Sequence, residues 1–227
     1  MPLFTLTSDA GWQNPVVAMS KGRLLRAYPQ ALPVDISHDL PPFNLAQAVY
    51  VFKQSYRLFP DHTFHFILTD LYAHPGRQLL YAFENNQHIF CADNGFLTML
   101  FDDQALQLYR LTERVHPYDF IHVLECFLSV TDSIIHHQST GLQPVGVQDI
   151  LVRRWVHATL HNEALEAQVL HIDPFGNVVL NVSRQQFEET RGHKNFRILF
   201  MHDEELNQLS QHYNDVPEGE KLCLFNR

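Results

Sequence analysis

Thr63-Phe64-His65-Phe66-Ile67-Leu68-Thr69, closed by Asp70, is the stretch on which the fold turns. A run of β-branched, aromatic and aliphatic residues bounded by a carboxylate predicts a strand buried on both faces, as in the interior of a parallel sheet. Upstream, Asn44 caps a helix whose Leu45, Ala48, Val49, Phe52 and Tyr56 recur at three- and four-residue steps, with Gln47 and Lys53 on the wet face. Val34 to Ile36 reads as the strand before that helix. Further back, Asn14-Pro15 supplies a cap with proline at the first helical position, predicting a helix to about Tyr28 behind a first strand at Leu3 to Thr7. Downstream, Leu79 to Phe83 and His88 to Cys91 read as a hairpin turning at Glu84-Asn85-Asn86-Gln87, and Pro117 opens a helix to about Val130. Strands alternating with helices predict an α/β fold: a mostly parallel sheet sandwiched by helices in a doubly wound layout.

Gln, Ser, Thr, Gly and Pro cluster from His137 to Gly146, so the expected division is an α/β domain over 1–140, a linker region over 141–160 and a smaller, mainly β, barrel-like domain over 161–227. In the second domain a run from Leu165 to Ile172 meets a turn at Asp173-Pro174-Phe175-Gly176-Asn177, then a run from Val178 to Val182. A short helix capped by Ser183, with Gln186 three residues on, follows, with strands expected near Phe196 to Met201 and Lys221 to Phe225.

Composition narrows the classes of function. With 227 residues, 45% hydrophobic and 18% charged, and with 17 Phe and 8 Tyr, the chain can bury a sizeable core. Lys+Arg at 16 against Asp+Glu at 25 gives a net charge of −9, which repels a phosphate backbone, so nucleic acid is not an expected partner. The opening Met1-Pro2-Leu3-Phe4-Thr5-Leu6-Thr7 is not a signal peptide and no run is long enough to span a membrane, so a cytoplasmic protein with no membrane partner is expected. Cys91, Cys126 and Cys223 are odd in number and far apart, which implies thiols in a reducing compartment.

Ligands of open parallel sheets sit beyond the carboxyl ends of the strands. Asp9 follows the first strand and Asp70 the strongest one, so both are expected on one rim; an aspartate there also caps loops, but two together point to chemistry. Arg77 lies seven residues beyond Asp70, placed either to act with that carboxylate or to form a surface ion pair of little worth. His116, just before Pro117, is placed either to carry a proton at the rim or to face solvent. Spacing leaves both pairs of readings open. The 15 histidines include no His-Glu-x-x-His pair and no Cys/His cluster of zinc spacing, and His62 and His65 would project to opposite faces of a strand, so no metal is expected. A Gly-x-Gly-x-x-Gly fingerprint, a phosphate-binding loop and a serine elbow are missing too.

Six ordered segments, read together, resemble one family: the S-adenosyl-L-methionine (SAM) hydrolases, or SAM hydroxide adenosyltransferases, related to the SAM-dependent fluorinase and chlorinase. Thr7-Ser8-Asp9-Ala10-Gly11, Asn14-Pro15-Val16-Val17-Ala18 and Ser20-Lys21-Gly22 are similar to the family's opening Leu-Thr-Asp-Phe-Gly, Asp-Pro-Tyr-Val-Gly and Met-Lys-Gly. Val34-Asp35-Ile36-Ser37-His38-Asp39-Leu40-Pro41-Pro42 matches Val-Asp-Ile-Ser-His-Glu-Ile-Pro-Pro, the most specific stretch. Ala92-Asp93-Asn94-Gly95 repeats an Asp-Asn-Gly motif, and Ile172-Asp173-Pro174-Phe175-Gly176-Asn177 with Asn181 repeats an Asp-x-Phe-Gly-Asn motif.

The resemblance implies hydrolysis of SAM to adenosine and L-methionine with no cofactor, SAM itself being the substrate. It implies that Asp9 holds the ribose hydroxyls, that Asn14 belongs to the substrate site, and that Phe43 forms a wall beside the reacting carbon. Asp173 and Asn177 would hold the methionine amine and the adenine side. The family's Asp, Arg and His triad falls on Asp70, Arg77 and His116. A homotrimer with sites at subunit interfaces is implied as well. Asp70-Leu71-Tyr72-Ala73-His74 stands where the family has Asp-Pro-Gly-Val-Gly, and His116-Pro117-Tyr118-Asp119 where it has His-Gly-Arg-Asp. The resemblance implies further residues where this sequence has Leu224-Phe225-Asn226-Arg227, so a β domain shortened at its C-terminus is expected. Two alternatives accompany this reading: a SAM- or adenosine-binding protein without turnover, and a halide transferase. The resemblance implies water over halide, because the halogenases have a non-acidic residue in the place of Asp70 and an extra loop for which the connection from Asp93 to His116 leaves no room.

Overall fold

Elements form where the local chemistry calls for them. The structure, a computed structural model, describes residues 1–71, 78–101, 107–112, 119–199 and 205–225. Strand β1 (Leu3–Ser8) leads into helix α1 (Pro15–Ala27), whose first turn is capped by the Asn14 side chain accepting from the Val16 N–H at 3.1 Å. Strand β2 (Leu32–Ser37) is followed by α2 (Leu45–Ser55), capped by Asn44 through the Gln47 N–H, and then by β3 (Phe64–Leu68). The hairpin β4 (Leu79–Glu84) and β5 (Gln87–Ala92) turns through Asn85 and Asn86, both at positive φ, which asparagine tolerates better than most residues. Helix α3 (Phe96–Phe101), strand β6 (Gln107–Arg110), helix α4 (Phe120–Ile135) and strand β7 (Gln143–Val145) complete the first unit's α-helices and strands among the described residues.

These strands make one sheet in the order β2-β1-β3-β5-β4-β6-β7. β2, β1, β3 and β5 run parallel, while β4, β6 and β7 each pair antiparallel. Alternation along β3 divides the core. Phe64, Phe66 and Leu68 face Leu24 of α1 and Val123, Leu124 and Phe127 of α4. Ile67, on the other face, joins Ala48, Val49 and Phe52 of α2 and Phe96, Leu97 and Leu100 of α3. Helices on both faces give the expected doubly wound α/β layout, and every residue of β3 is buried, as its composition predicts.

Two expectations shift. Pro117 lies outside the described residues; α4 starts at Phe120 under an Asp119 cap and continues past Val130, because Ile134 and Ile135 still pack on the core. Part of the polar 137–146 stretch is structured, since Gln143–Val145 pairs with β6 at the sheet edge.

The chain divides into two units, 1–155 and 156–227, a break inside the 141–160 segment. The second unit is built of short antiparallel pairs: β8 (Thr159–His161) with β9 (Ala164–Glu166), β10 (Val169–Ile172) with β11 (Val178–Leu180), and, after α5 (Arg184–Arg191), β12 (Ile198–Leu199) with β13 (Glu205–Leu206). Ser183 caps α5 through the Gln186 N–H, as predicted. The expected strand at Lys221 to Phe225 has no ladder and is irregular. No described helix is long and apolar enough to cross a membrane.

Candidate active site

The register of the two central strands sets the site. Ser8 of β1 pairs with Leu68 of β3, so the residues that follow, Asp9 on one strand and Thr69-Asp70 on the other, leave the sheet side by side on its carboxyl rim. Asp70 takes a left-handed conformation, φ 51°, which turns its backbone N–H onto Asp9 Oδ2 at 2.9 Å. The predicted juxtaposition of the two carboxylates is therefore present, although the link is backbone to side chain. Burial pushes the Asp9 pKa up, against the backbone N–H groups of Asp70 and Phe43 that favour its charged form. Asp70 is buried, and its Oδ1 finds no hydrogen-bond partner among the described residues.

The wall opposite comes from the segment after β2. Leu40, Pro41, Phe43, Asn44, Leu45 and Ala48 line a cleft with Asp9, Thr69 and Asp70. Phe43 is in the left-handed region at φ 63° and is 68% exposed, an arrangement that an aromatic side chain rarely holds without a role. The space between these walls is about 170 Å³, part of it open to solvent.

Asn94 ties the strand end to the next helix. It is fully buried; its Nδ2 donates to the Thr69 carbonyl at 2.9 Å and its Oδ1 accepts from the Phe96 N–H at 3.0 Å, joining the strand end that carries Asp70 to the start of α3. Asp93 accepts from the Leu151 N–H at 2.8 Å. At Gly95 (φ 92°) a Cβ would lie 2.5 Å from Arg153 Cγ, so the motif Asp93-Asn94-Gly95 is a packing joint.

The other predicted residues are placed as follows. The Asn14 side chain serves as the α1 cap. In the second unit, Asp173 Oδ1 accepts from the Phe175 and Asn177 N–H groups, and Asn177 Nδ2 donates to Asp173 Oδ2 at 2.7 Å, closing the turn between β10 and β11. That side-chain bond, ahead of the backbone ones, holds the exposed Asp173 carboxyl below its usual pKa. Arg77 and His116 lie outside the described residues. Among the described residues no three His, Cys, Asp or Glu side chains gather as a metal site.

Two features of the rim carry no role in the sequence reading. One is Thr69, whose buried Oγ1 also lacks a partner among the described residues; the other is the Ser8–His38 pair, where Ser8 Oγ meets His38 Nδ1 at 2.7 Å. His38 belongs to the quoted stretch 34–42 and Ser8 to 7–11, but neither stretch signals that the two meet.

Comparison with known proteins bears on the chain as a whole. Residues 4–141 match the family model for the SAM hydroxide adenosyltransferase N-terminal domain, and residues 167–227 match that for the C-terminal domain. An (R)-S-adenosyl-L-methionine hydrolase of Methanocaldococcus jannaschii is 22% identical over 192 residues, 82% of this chain and 69% of the relative. Its namesake from Thermus thermophilus is 25% identical over 197 residues, 81% and 75% of the two chains. Among solved structures, an uncharacterized conserved protein from Thermotoga maritima superposes with a TM-score of 0.78 at 21% identity, over 98% of this chain and 88% of the other. A conserved hypothetical protein from Thermus thermophilus gives a TM-score of 0.68 at 22% identity, over 96% and 85%. These two share the fold.

Proposed function

The chain belongs to the SAM hydroxide adenosyltransferase family, and from that premise we propose that it hydrolyses SAM to adenosine and L-methionine. The observation that carries the proposal is the pair Asp9 and Asp70, which line one cleft at the end of adjacent parallel strands. Water attacks C5′ in line with the sulfonium. The C5′–O bond forms, the C5′–S bond breaks, its electron pair stays on the methionine sulfur as a neutral thioether, and the water gives up a proton. Asp9 receives the ribose hydroxyls, and Asp70 orients the water. Arg77 and His116 complete the set, the first holding the Asp70 carboxylate and the second taking the proton. Phe43 closes over the reacting carbon; Asn14 belongs to the substrate site, and Asp173 and Asn177 bind the methionine amine and the adenine side.

Alignment of water and carbon accounts for the larger share of the acceleration, about 7–11 kcal/mol, against about 10²–10⁴-fold from proton transfer. A closed cleft serves both. In this reading three copies assemble so that the second unit of one meets the rim of its neighbour. Val169, Ile172 and Val178, each more than half exposed on β10 and β11, with Phe175 at 91%, supply apolar surface for that contact. The protein works in the cytoplasm, a reducing setting consistent with its three thiols.

Incubation with SAM followed by chromatography tests the activity: adenosine and methionine should appear in equal amounts, and Asp70→Ala should abolish both. Saturable SAM binding without adenosine would make the chain a binding protein, and 5′-chloroadenosine in the presence of chloride would make it a halide transferase.

A further inference from the structure

Behind Asp9 lies a chain of polar groups that the reaction scheme does not use. His38, 1% exposed, accepts at Nδ1 from the fully buried Ser8 hydroxyl, 2.7 Å away, and meets Asp35 Oδ1 through Nε2 at 2.9 Å. A carboxylate only accepts, so Nε2 carries a proton, and in the neutral ring Nδ1 is then the acceptor. Lys21 Nζ takes the other Asp35 oxygen at 2.5 Å. Burial works against the Asp35 charge, but these two hydrogen bonds outweigh it and keep its pKa below the usual carboxylate value. The Ser8 oxygen in turn accepts from the Ala10 N–H at 3.4 Å, and the His38 carbonyl accepts from the Gly11 N–H at 2.8 Å. Gly11, at φ 80°, makes the turn that brings its N–H there. Trp12 closes the outer side, edge-on to His38 at 4.8 Å between ring centroids.

The geometry resembles a serine–histidine–aspartate relay, but Ser8 is sealed from any substrate and cannot act as a nucleophile. Its consequence falls on its neighbour: the residues on both sides of Asp9 are tied to one histidine, Ser8 through the side chain and Gly11 through the backbone. We propose that His38, held in its Nε2–H form by Asp35, is a positioning residue that aims the Asp9 carboxylate at the substrate. The inference rests on the reading of Asp9 as the ribose ligand. A correctly aimed carboxylate strengthens binding of the sugar without touching the reacting carbon, so its misplacement is felt in KM before kcat.

Steady-state kinetics of SAM cleavage on the full chain, with melting temperatures recorded alongside, test the proposal through Ser8→Ala, His38→Asn and the double variant. Ser8→Ala removes only a hydroxyl and is the safer of the two for folding. Each single variant should raise KM about tenfold, the size of one lost buried hydrogen bond, with kcat changed less than about threefold. The double variant should be no worse than the worse single one, as for residues that act in series. A long-range proton–nitrogen spectrum should show the Nε2–H form of His38, lost in Asp35→Asn. If the wild type cleaves SAM while Ser8→Ala keeps the wild-type KM, if the two losses simply add, or if His38 carries its proton on Nδ1, the positioning role is wrong. If the wild type does not cleave SAM, the functional reading fails instead, and adenosine affinity measured by calorimetry replaces KM in the same comparison.

Discussion

At neutral pH the Asp9 carboxylate sits where burial disfavours its charge and backbone donors only partly compensate. Its folded pKa is raised above the ordinary 3.8, so the stability linked to its proton is present below that value and is lost as pH rises through the folded pKa. Asp9→Asn should therefore melt higher than the wild type at about pH 7, with the gap closing at about pH 3.5, while binding of SAM weakens. Thermal melts at the two pH values check the first half, and titration calorimetry the second. A carboxylate that costs stability yet persists on a strand rim is what a ligand site requires. Both aspartates were legible in the sequence because each directly follows a strand with a clear pattern. The bond between them was not, since it depends on the left-handed backbone of Asp70. Nor was the Ser8–His38 contact, whose partners are 30 residues apart and meet only once β1 and β2 are side by side.

Helix ends and sheet joints show where local signals suffice. Asn44→Ala should cost about 1 kcal/mol, the usual worth of an N-cap, and should loosen the wall that carries Phe43. Asn94→Ala should cost more, about 3 kcal/mol, because the Thr69 carbonyl and the Phe96 N–H would both lose their buried partner. Urea unfolding of the two variants gives the comparison, and equal midpoints would contradict the assignment of Asn94 as the joint under Asp70. The elements foreseen correctly carry their own punctuation: Asn14-Pro15, Asn44 and Ser183 at helix starts, the Asn85-Asn86 turn, and the unbroken apolar run of β3. Those not foreseen lack it. Gln107–Arg110 is short and polar at both ends, and Gln143–Val145 contains a proline admitted only because the strand lies at an edge. The pairing of β6 is decided by β4, and that of β7 by β6, not by their own residues.

On the scale of the whole molecule, stability is coupled to two histidines on the central strands. His65 is bound between Thr5 Oγ1 at 2.7 Å and Gln87 Oε1 at 3.0 Å, and His88 meets the Tyr81 hydroxyl at 2.8 Å. Burial, with lesser pushes from neighbouring histidines, lowers both pKa values to about 4 from 6.5. Stability is thus full above pH 6.5 and is lost as pH falls toward 4, on the order of 2–3 kcal/mol for each residue. Urea midpoints followed from pH 7.5 to about 4 should decline through that window, and a His88→Phe variant should decline less steeply. The layered α/β plan was readable from the alternation of strand and helix patterns alone. The substrate was not: nothing in a pair of aspartates on a rim names a sulfonium, and that identification came from ordered motifs. Cleaving SAM in heavy-oxygen water and weighing the products tests water attack at this rim most directly. The heavy atom should appear in adenosine, none should appear in methionine, and product should vanish in Asp70→Asn. Unlabelled adenosine, label in methionine, or undiminished cleavage by Asp70→Asn would contradict substitution at C5′ by a water held here.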